Sequence, residues 1–79
     1  MALAVAQTLD LKGLSCPLPI LRTAKAMMQM EPGERVEVLA TDAGSVPDFN
    51  AWCTKTRNTL VETSQADGVF RFVVEKAQR

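Results

Sequence analysis

The stretch that decides the fold is Thr8–Arg22, which reads TLDLKGLSCPLPILR. Its first residues alternate between polar and apolar, as in a short half-buried strand, and Gly13 then breaks the alternation. Beyond the cysteine, apolar residues recur at helical spacing. The sequence therefore predicts a strand over about Gln7–Leu11 and an amphipathic helix over Pro17–Met30, joined by a loop that carries Cys16.

The predicted first helix has one apolar face, which spans an arc of roughly 120° on a helical wheel. We expect the helix to stop near residue 30, because Pro32 disfavours helical geometry in the residue before it. The residues expected to face the core are Pro17, Ile20, Leu21, Ala24, Met27 and Met28.

Three further elements follow along the chain. Alternation over Arg35–Thr41 predicts a second strand with Val36, Val38 and Ala40 on its inner face. A second helix is predicted over Val46–Arg57, with Ser45 and Asp48 as an approximate capping box and Asn58 as its left-handed end. The segments Leu60–Gln65 and Val69–Glu75, joined through Ala66-Asp67-Gly68, predict a hairpin.

This order predicts an α/β (α+β) fold, namely a two-layer sandwich with the topology β-α-β-α-β-β. Right-handed crossovers place both helices on one face of a four-stranded sheet. The sheet should be mixed, since a helix joins the first two strands in parallel and a hairpin joins the last two. The order of the strands does not follow from the sequence.

Composition excludes several classes of function. The chain has 79 residues, nine acidic and nine basic side chains, no histidine and two cysteines. This length predicts one domain over residues 1–79, with little room for a deep substrate cavity. Without histidine there is no Ser/His/Asp triad, Cys/His pair or imidazole zinc site, and two thiols are too few for four-thiolate zinc. We therefore expect no metal, and zero net charge argues against direct binding of nucleic acid.

The sequence also bears on the cellular compartment. Residues 1–6, MALAVA, lack the basic start and the apolar run of a secretory signal, and no stretch approaches the ~20 apolar residues of a membrane span. We expect a cytoplasmic protein without membrane association, in which both cysteines are reduced. We also expect a monomer, since the predicted elements leave no long apolar stripe uncovered.

Cys16 is the candidate reactive residue. It stands at the predicted N-cap of the first helix, with Pro17 and Pro19 in the first turn, where a missing N–H costs little and the fixed φ of proline makes the turn rigid. A helix N-terminus lowers the pKa of a thiol from about 8.5 towards about 3.5–7.5. Cys16 is therefore predicted to be a nucleophile at neutral pH. The alternative is that it only caps the helix or fills a small apolar space.

A docking patch is predicted beside this cysteine. Leu18 and Arg22 lie opposite the apolar face of the first helix, so Leu18 is expected to be exposed, and Lys25 lies nearby. Lys12, Arg22 and Lys25 would make this edge positive, which favours the thiolate and an acidic protein partner. The alternative is an ordinary solvated helix face, because single exposed leucines are common.

The second cysteine is predicted to be structural. Cys53 shares the apolar side of the second helix with Val46, Phe49 and Trp52, so its thiol is expected in the core, where burial disfavours the thiolate. The alternative is a resolving cysteine that forms a disulfide with Cys16. The aromatic residues Trp52, Phe70 and Phe72 are also expected in the core, without a ligand.

Asp42 is a further candidate site residue. It follows the second strand, at the same carboxyl edge of the parallel pair as the Cys16 loop, where sites on α/β sheets gather. It could hold that loop. The alternative is a hydrogen bond within its own loop or at the start of the next helix.

The run Leu9–Arg22 resembles the TusA/SirA family of small sulfur-carrier proteins, whose hallmark is a Cys-Pro-x-Pro motif after a strand that ends in glycine. Ala40-Thr41-Asp42 resembles the family's aspartate after the second strand, and the helix around Phe49–Trp52 and the closing hairpin fit. The resemblance covers about Leu9–Lys76. The chain departs from the family at two positions, where members often have proline and glycine: Ala43 and Asn58.

The resemblance implies a sandwich similar to the C-terminal domain of translation initiation factor three. It also implies that Cys16 receives sulfane sulfur as a persulfide from a cysteine desulfurase or a rhodanese. The sulfur would pass to an acceptor sulfurtransferase of the DsrE/TusD type, with no cofactor besides the persulfide. The motif residues Gly13, Pro17, Pro19 and Asp42 would support this chemistry. Family branches serve tRNA thiolation, molybdenum cofactor supply or dissimilatory sulfur oxidation.

Other functions remain open at this point. An exposed, activated thiol without a base, a metal or a pocket suits exchange between proteins better than turnover of a small substrate. A regulatory module that binds protein or RNA at the Cys16 edge is the main alternative, by fold analogy with the initiation factor. A redox sensor using a disulfide between Cys16 and Cys53 is another.

Overall fold

The computed structural model of the protein describes residues 5–15 and 17–77. The elements are β1 (Gln7–Asp10), α1 (Leu18–Met27), β2 (Arg35–Ala40), α2 (Ser45–Thr56), β3 (Thr59–Ala66) and β4 (Val69–Glu75). The strands form a sheet with the order β1-β2-β4-β3, in which β1 is parallel to β2 and the other neighbours are antiparallel. The predicted two-layer fold with a mixed sheet is confirmed. In the described part of the chain, neither helix has the length and apolar content needed to cross a membrane.

The core lies between the helices and the two central strands. Residue burial alternates along β2 as predicted, because every second side chain points towards the helices. Phe72 of β4 stacks on Phe49 of α2, with ring centroids 4.5 Å apart and planes at 17°. Such aromatic pairs add about 0.5–1.5 kcal/mol beyond the area they bury. The inward residues of β2, Val36, Val38 and Ala40, pair with Val74, Phe72 and Phe70 of β4, respectively.

Helix α1 buries part of the predicted face, including Met27, together with residues that were not predicted to be buried. Its buried residues are Pro19, Thr23 and Met27, whereas Leu21 and Met28 are 57% and 78% exposed. The Thr23 hydroxyl donates a hydrogen bond to the Pro19 carbonyl oxygen at 2.8 Å, so this polar side chain is buried with its donor satisfied. The helix also ends three residues before position 30, in consecutive turns over residues 28–30. Hydrophobic spacing could not reveal a buried threonine whose partner lies in its own helix.

Helix α2 begins without the predicted capping box. Gly44 is its N-cap, and no side chain makes a capping hydrogen bond. Ser45 is the first helical residue, and its buried Oγ has no hydrogen-bond partner among the described residues. Asp42 closes the turn instead: its Oδ1 accepts the Gly44 N–H at 3.1 Å and its carbonyl accepts the Ser45 N–H at 2.9 Å. The helix therefore starts before a serine cap can act.

The chain leaves α2 one residue earlier than predicted. Arg57, rather than Asn58, takes the left-handed conformation with φ of 65°. Asn58 instead accepts a hydrogen bond from the Ala77 N–H at 2.7 Å. This bond ties the residue before β3 to the segment after β4. The predicted hairpin is confirmed, since Asp67 and Gly68 join β3 to β4 with φ of 53° and 78°, the positive values of a type I′ turn.

The sheet face that carries no helix is covered by charged side chains. Hydrogen bonds from Arg71 and then Thr8 lower the pKa of Glu37. Val73 of β4 lies on the same face, opposite Glu37 of β2, and it is fully buried. The charged groups of this face therefore satisfy one another. The ion pairs are Arg71 with Glu37, Arg71 with Glu62, and Arg35 with Glu75.

Candidate functional site

The loop between β1 and α1 is fastened to the end of β2. The Leu11 N–H donates to the Leu39 carbonyl at 2.8 Å, which extends the parallel pairing beyond β1. Gly13 then turns the chain with φ of 90°, a conformation that residues with a Cβ rarely adopt. Its N–H donates to Oγ1 of Thr41 at 2.9 Å. These bonds hold the residues that precede Cys16 at the carboxyl edge of the two parallel strands.

The two prolines shape the start of α1, although the helix begins later than predicted. The N-cap is Pro17 and not Cys16, since Pro17 has φ of −99° and ψ of 16° and its carbonyl is the acceptor for the Leu21 N–H at 3.1 Å. Pro19 lies in the first turn and is fully buried. Its missing N–H leaves no helical hydrogen bond unmade there. The motif thus places the rigid ring of Pro19 in the first turn of α1, on the side that faces the core.

Cys16 itself lies outside the described residues, so its role as a nucleophile stays a prediction. Ser15 and Pro17, the residues on either side, are both exposed. The Leu18 N–H donates to the Ser15 carbonyl at 2.9 Å, a hydrogen bond that spans this position in the chain. Hydrogen bonds therefore fix the chain both before and after position 16.

Asp42 and Thr41, which follow β2, make hydrogen bonds to different loops. Asp42 is half-buried and accepts a hydrogen bond in the turn that leads into α2. This confirms the predicted alternative, a hydrogen bond at the start of the next helix. A role in holding the Cys16 loop stays a prediction for Asp42. Thr41, which the sequence did not single out, binds that loop through Gly13. A hydroxyl next to a predicted strand end was the only available signal, and such residues are too common to be informative.

The two helices carry three exposed basic residues. Arg22 and Lys25 on α1 and Lys55 on α2 are exposed, and none belongs to an ion pair of the described chain. Lys12, by contrast, lies 3.9 Å from Asp10, which offsets its charge. The predicted positive edge is therefore a property of α1 more than of Lys12. Leu18 is 39% exposed, as predicted.

A surface groove of about 320 Å³ lies between the two helices beside this loop. Trp52, predicted as a core residue without a ligand role, is only half-buried: it meets Phe49 edge-on at 6.0 Å and also forms a wall of the groove. The sequence could not reveal this groove, since its walls come from two helices whose relative placement is tertiary. We call it the interhelical groove, and its walls are Pro17, Ile20, Asp48, Ala51, Trp52 and Lys55.

Cys53 lies in the core as predicted. Its side chain is 3% exposed, and burial raises the pKa of its thiol to about 11. A thiol with this pKa stays protonated at neutral pH and is a poor nucleophile. These properties oppose a resolving role for Cys53.

A family model described as sulfurtransferase TusA matches residues 7–76. The chain belongs to the TusA family. The sulfur carrier protein TusA of Allochromatium vinosum is 46% identical over 71 residues, which are 90% of this chain and 93% of that protein. A protein of Neisseria meningitidis serogroup B, provisionally named as a sulfur carrier, is 52% identical over 69 residues, 87% and 93% of the two chains.

Solved structures agree with the TusA assignment. The crystal structure of a SirA-like protein from Desulfitobacterium hafniense superposes with a TM-score of 0.79 at 26% identity, over 90% of this chain and 97% of that one. The predicted membership of the TusA/SirA family is thereby confirmed. Membership of a sulfur-carrier family implies proteins that donate sulfur to the chain and proteins that accept it.

Proposed function

We propose that this TusA-family chain carries sulfur as a persulfide on Cys16. The donor would be a cysteine desulfurase or a rhodanese, and the acceptor the cysteine of a sulfurtransferase of the DsrE/TusD type. The observation that carries the proposal is the anchored loop: the Gly13 N–H is bound by Thr41, and the Pro17 carbonyl opens α1. A cysteine between two such anchors, flanked by exposed residues, suits a thiol offered to another protein.

The transfer needs no external oxidant or reductant. The Cys16 thiolate attacks the terminal sulfur of the donor's persulfide, R–S–SH. A new S–S bond forms on Cys16 while the S–S bond of the donor breaks, and its electron pair leaves with the donor as the thiolate R–S⁻. The proton stays on the transferred sulfur, so Cys16 becomes Cys–S–SH. Attack by an acceptor thiolate repeats the step and returns Cys16 as a thiolate.

The composition of the chain supports relay rather than turnover. With no histidine, the chain supplies no imidazole base, so activation of the thiol has to come from the helix start and nearby cations. Arg22 and Lys25 provide such cations on α1, and Leu18 adds an exposed apolar side chain for docking. The sulfur would then serve tRNA thiolation, molybdenum cofactor supply or dissimilatory sulfur oxidation, depending on the acceptor.

The redox-sensor alternative receives no support from the second thiol, since Cys53 is buried and its pKa is raised to about 11. The binding-module alternative differs from the carrier in one consequence. A module that only binds would keep its function in Cys16→Ser, whereas a carrier would lose it.

Mass spectrometry tests the proposal directly. The reduced protein is incubated with a cysteine desulfurase and cysteine, and separately with a rhodanese and thiosulfate. We expect a gain of one sulfur atom on the Cys16 peptide, reversed by a thiol reductant, absent in Cys16→Ala and retained in Cys53→Ala. Sulfur retained by Cys16→Ala, or a wild-type protein that stays unmodified by both donors while Cys16 can be alkylated, would overturn the proposal.

A further inference from the structure

The charges of the molecule are distributed unequally between its two faces. On the face without helices, Arg35 and Arg71 are paired with glutamates. On the helix layer, α1 carries Arg22 and Lys25 and no acidic residue at all. Helix α2 adds one lysine and one aspartate, so the two helices together carry three basic side chains and one acidic one. A chain with a formal net charge of zero therefore presents a positive helix layer, while three of its glutamates pair with arginines on the opposite face.

The interhelical groove lies within this positive layer and touches the reactive loop. Pro17, the residue after Cys16, forms one of its walls. Ile20, Ala51 and Trp52 supply apolar surface, and Lys55 stands at the wall without an acidic partner in the described chain. A protein whose sulfur atom reaches Cys16 would therefore meet this groove at the same time.

The size and lining of the groove indicate what fits it. About 320 Å³ is at the low end of the ~300–1,000 Å³ that small-molecule sites occupy, but it is enough for an apolar side chain from another protein. Such an anchor in a pocket, surrounded by a polar rim, is the usual centre of a protein interface. The rim is mixed, since Asp48 lines the groove together with Lys55. Carboxylates of a partner are therefore expected on the side of Lys55.

We infer that the interhelical groove is the docking site for the proteins that exchange sulfur with Cys16, and that it receives an apolar side chain flanked by carboxylates. The inference rests on the proposed function. It adds Ile20, Ala51, Trp52 and Lys55 to the docking surface that the sequence restricted to the outer face of α1. Because Pro17 belongs both to the loop and to the groove, docking there also aligns the partner with the reactive position.

The experiment measures sulfur loading by the donor that loads the wild-type protein, as a function of carrier concentration. Ala51→Trp fills the groove from an exposed position, and Lys55→Gln removes its unpaired cation. The matched controls are Thr54→Trp, which adds the same ring to an exposed residue of α2 outside the groove, and Ser64→Glu, which changes the net charge by the same amount on β3. Thermal denaturation checks that each variant is folded.

We expect Ala51→Trp to raise the half-saturating carrier concentration about tenfold or more, as loss of an interface anchor does. Lys55→Gln should raise it less and should weaken its dependence on salt. Both controls should load like the wild type, and alkylation of Cys16 by iodoacetamide should be equally fast in all five proteins, because a small reagent needs no docking.

Two results would count against the inference, and they are distinguishable. Normal wild-type loading with an unchanged half-saturating concentration in Ala51→Trp would overturn the groove and leave the carrier function standing. A wild-type protein that takes sulfur from neither donor would overturn the carrier function and the inference with it.

Discussion

The amide of Gly13 donates a hydrogen bond to the side-chain oxygen of Thr41 across 2.9 Å. These residues are 28 positions apart, and the bond ties the loop before Cys16 to the end of β2. It follows the backbone bond from Leu11 to Leu39, so the loop leaves the sheet along a fixed path. The path of the loop before Cys16 thus depends on β2, a strand that follows it only after α1.

Thr41→Val removes this acceptor without a large change in shape. Because the Gly13 N–H is near solvent, we expect a loss of only about 0.5–1.5 kcal/mol in the free energy of unfolding. Looser positioning should slow sulfur transfer roughly three- to tenfold, in kcat rather than in KM. Thr41→Ser keeps a hydroxyl and should restore the rate. The measurement is steady-state loading by a cysteine desulfurase, and equal rates in the valine and serine variants would refute a positioning role.

Gly13→Ala places a Cβ on a backbone with φ of 90°. Apart from the adjoining residues, no heavy atom of the described chain lies within 4 Å of the added Cβ, so the penalty comes from the backbone, about 1–2 kcal/mol. Gly68→Ala is a matched control, because φ there is 78° and its Cβ also meets nothing. Urea denaturation should show similar losses for both variants, and loading should slow only in Gly13→Ala. Equal slowing in both would mean that the loop conformation does not matter.

Cys53 should make stability depend on alkaline pH. Its pKa is about 11 in the folded protein, against 9.0 for an unperturbed thiol, because burial disfavours the thiolate. The contribution is therefore fully present below pH 9.0 and is lost as the pH rises towards 11. Urea denaturation of Cys53→Ala should show a loss of about 1 kcal/mol at pH 7, and this gap to the wild type should shrink above pH 9. A gap that is constant with pH would contradict the burial of this thiol.

Glu37 should make stability depend on acidic pH. Hydrogen bonds from Arg71 and Thr8 lower its pKa below the ordinary 4.5, so the folded protein holds the carboxylate more strongly than the unfolded chain does. The contribution is present above pH 4.5 and is lost as the pH falls through the folded value. Glu37→Gln should cost about 0.5–1 kcal/mol at pH 7, the range of partly exposed ion pairs, and less at pH 2.

The control for this pair is Glu31→Gln, since Glu31 is exposed and its carboxylate is in none of the described ion pairs. Its stability should follow the wild type at both pH values when measured by urea denaturation. A Glu37→Gln gap that persists unchanged at pH 2 would show that shape, rather than charge, makes the contribution of Glu37.

Local patterns predicted the strands and the hairpin well. The alternation in Arg35–Thr41 identified the inner face of β2, and Asp67-Gly68 identified the turn, because each pattern is a direct consequence of backbone geometry. The Cys-Pro-x-Pro motif located the loop that joins β1 to α1, and its resemblance named the family that the comparisons confirmed. These features can be predicted without knowledge of the tertiary packing.

The two helices differ from their predictions because of contacts that single-residue preferences do not include. The buried face of α1 includes Thr23, whose hydroxyl is satisfied within the helix, while Leu21 remains exposed. The start of α2 is set by Asp42, so Ser45 does not cap it. Hydrophobicity and capping preferences are statements about single residues, and here a neighbouring residue changed the outcome in both cases.

The sequence by itself determined the order of the elements and the burial of Cys53. It also determined that Cys16 stands between a strand and a helix whose start contains two prolines. Periodicity and the conformational limits of proline and glycine are local, so they can be deduced from the order of residues. Only the tertiary structure decided the strand order β1-β2-β4-β3, the bond from Gly13 to Thr41 and the interhelical groove around Trp52. Each of these joins segments distant in the chain, and their meeting depends on how the layers pack as a whole.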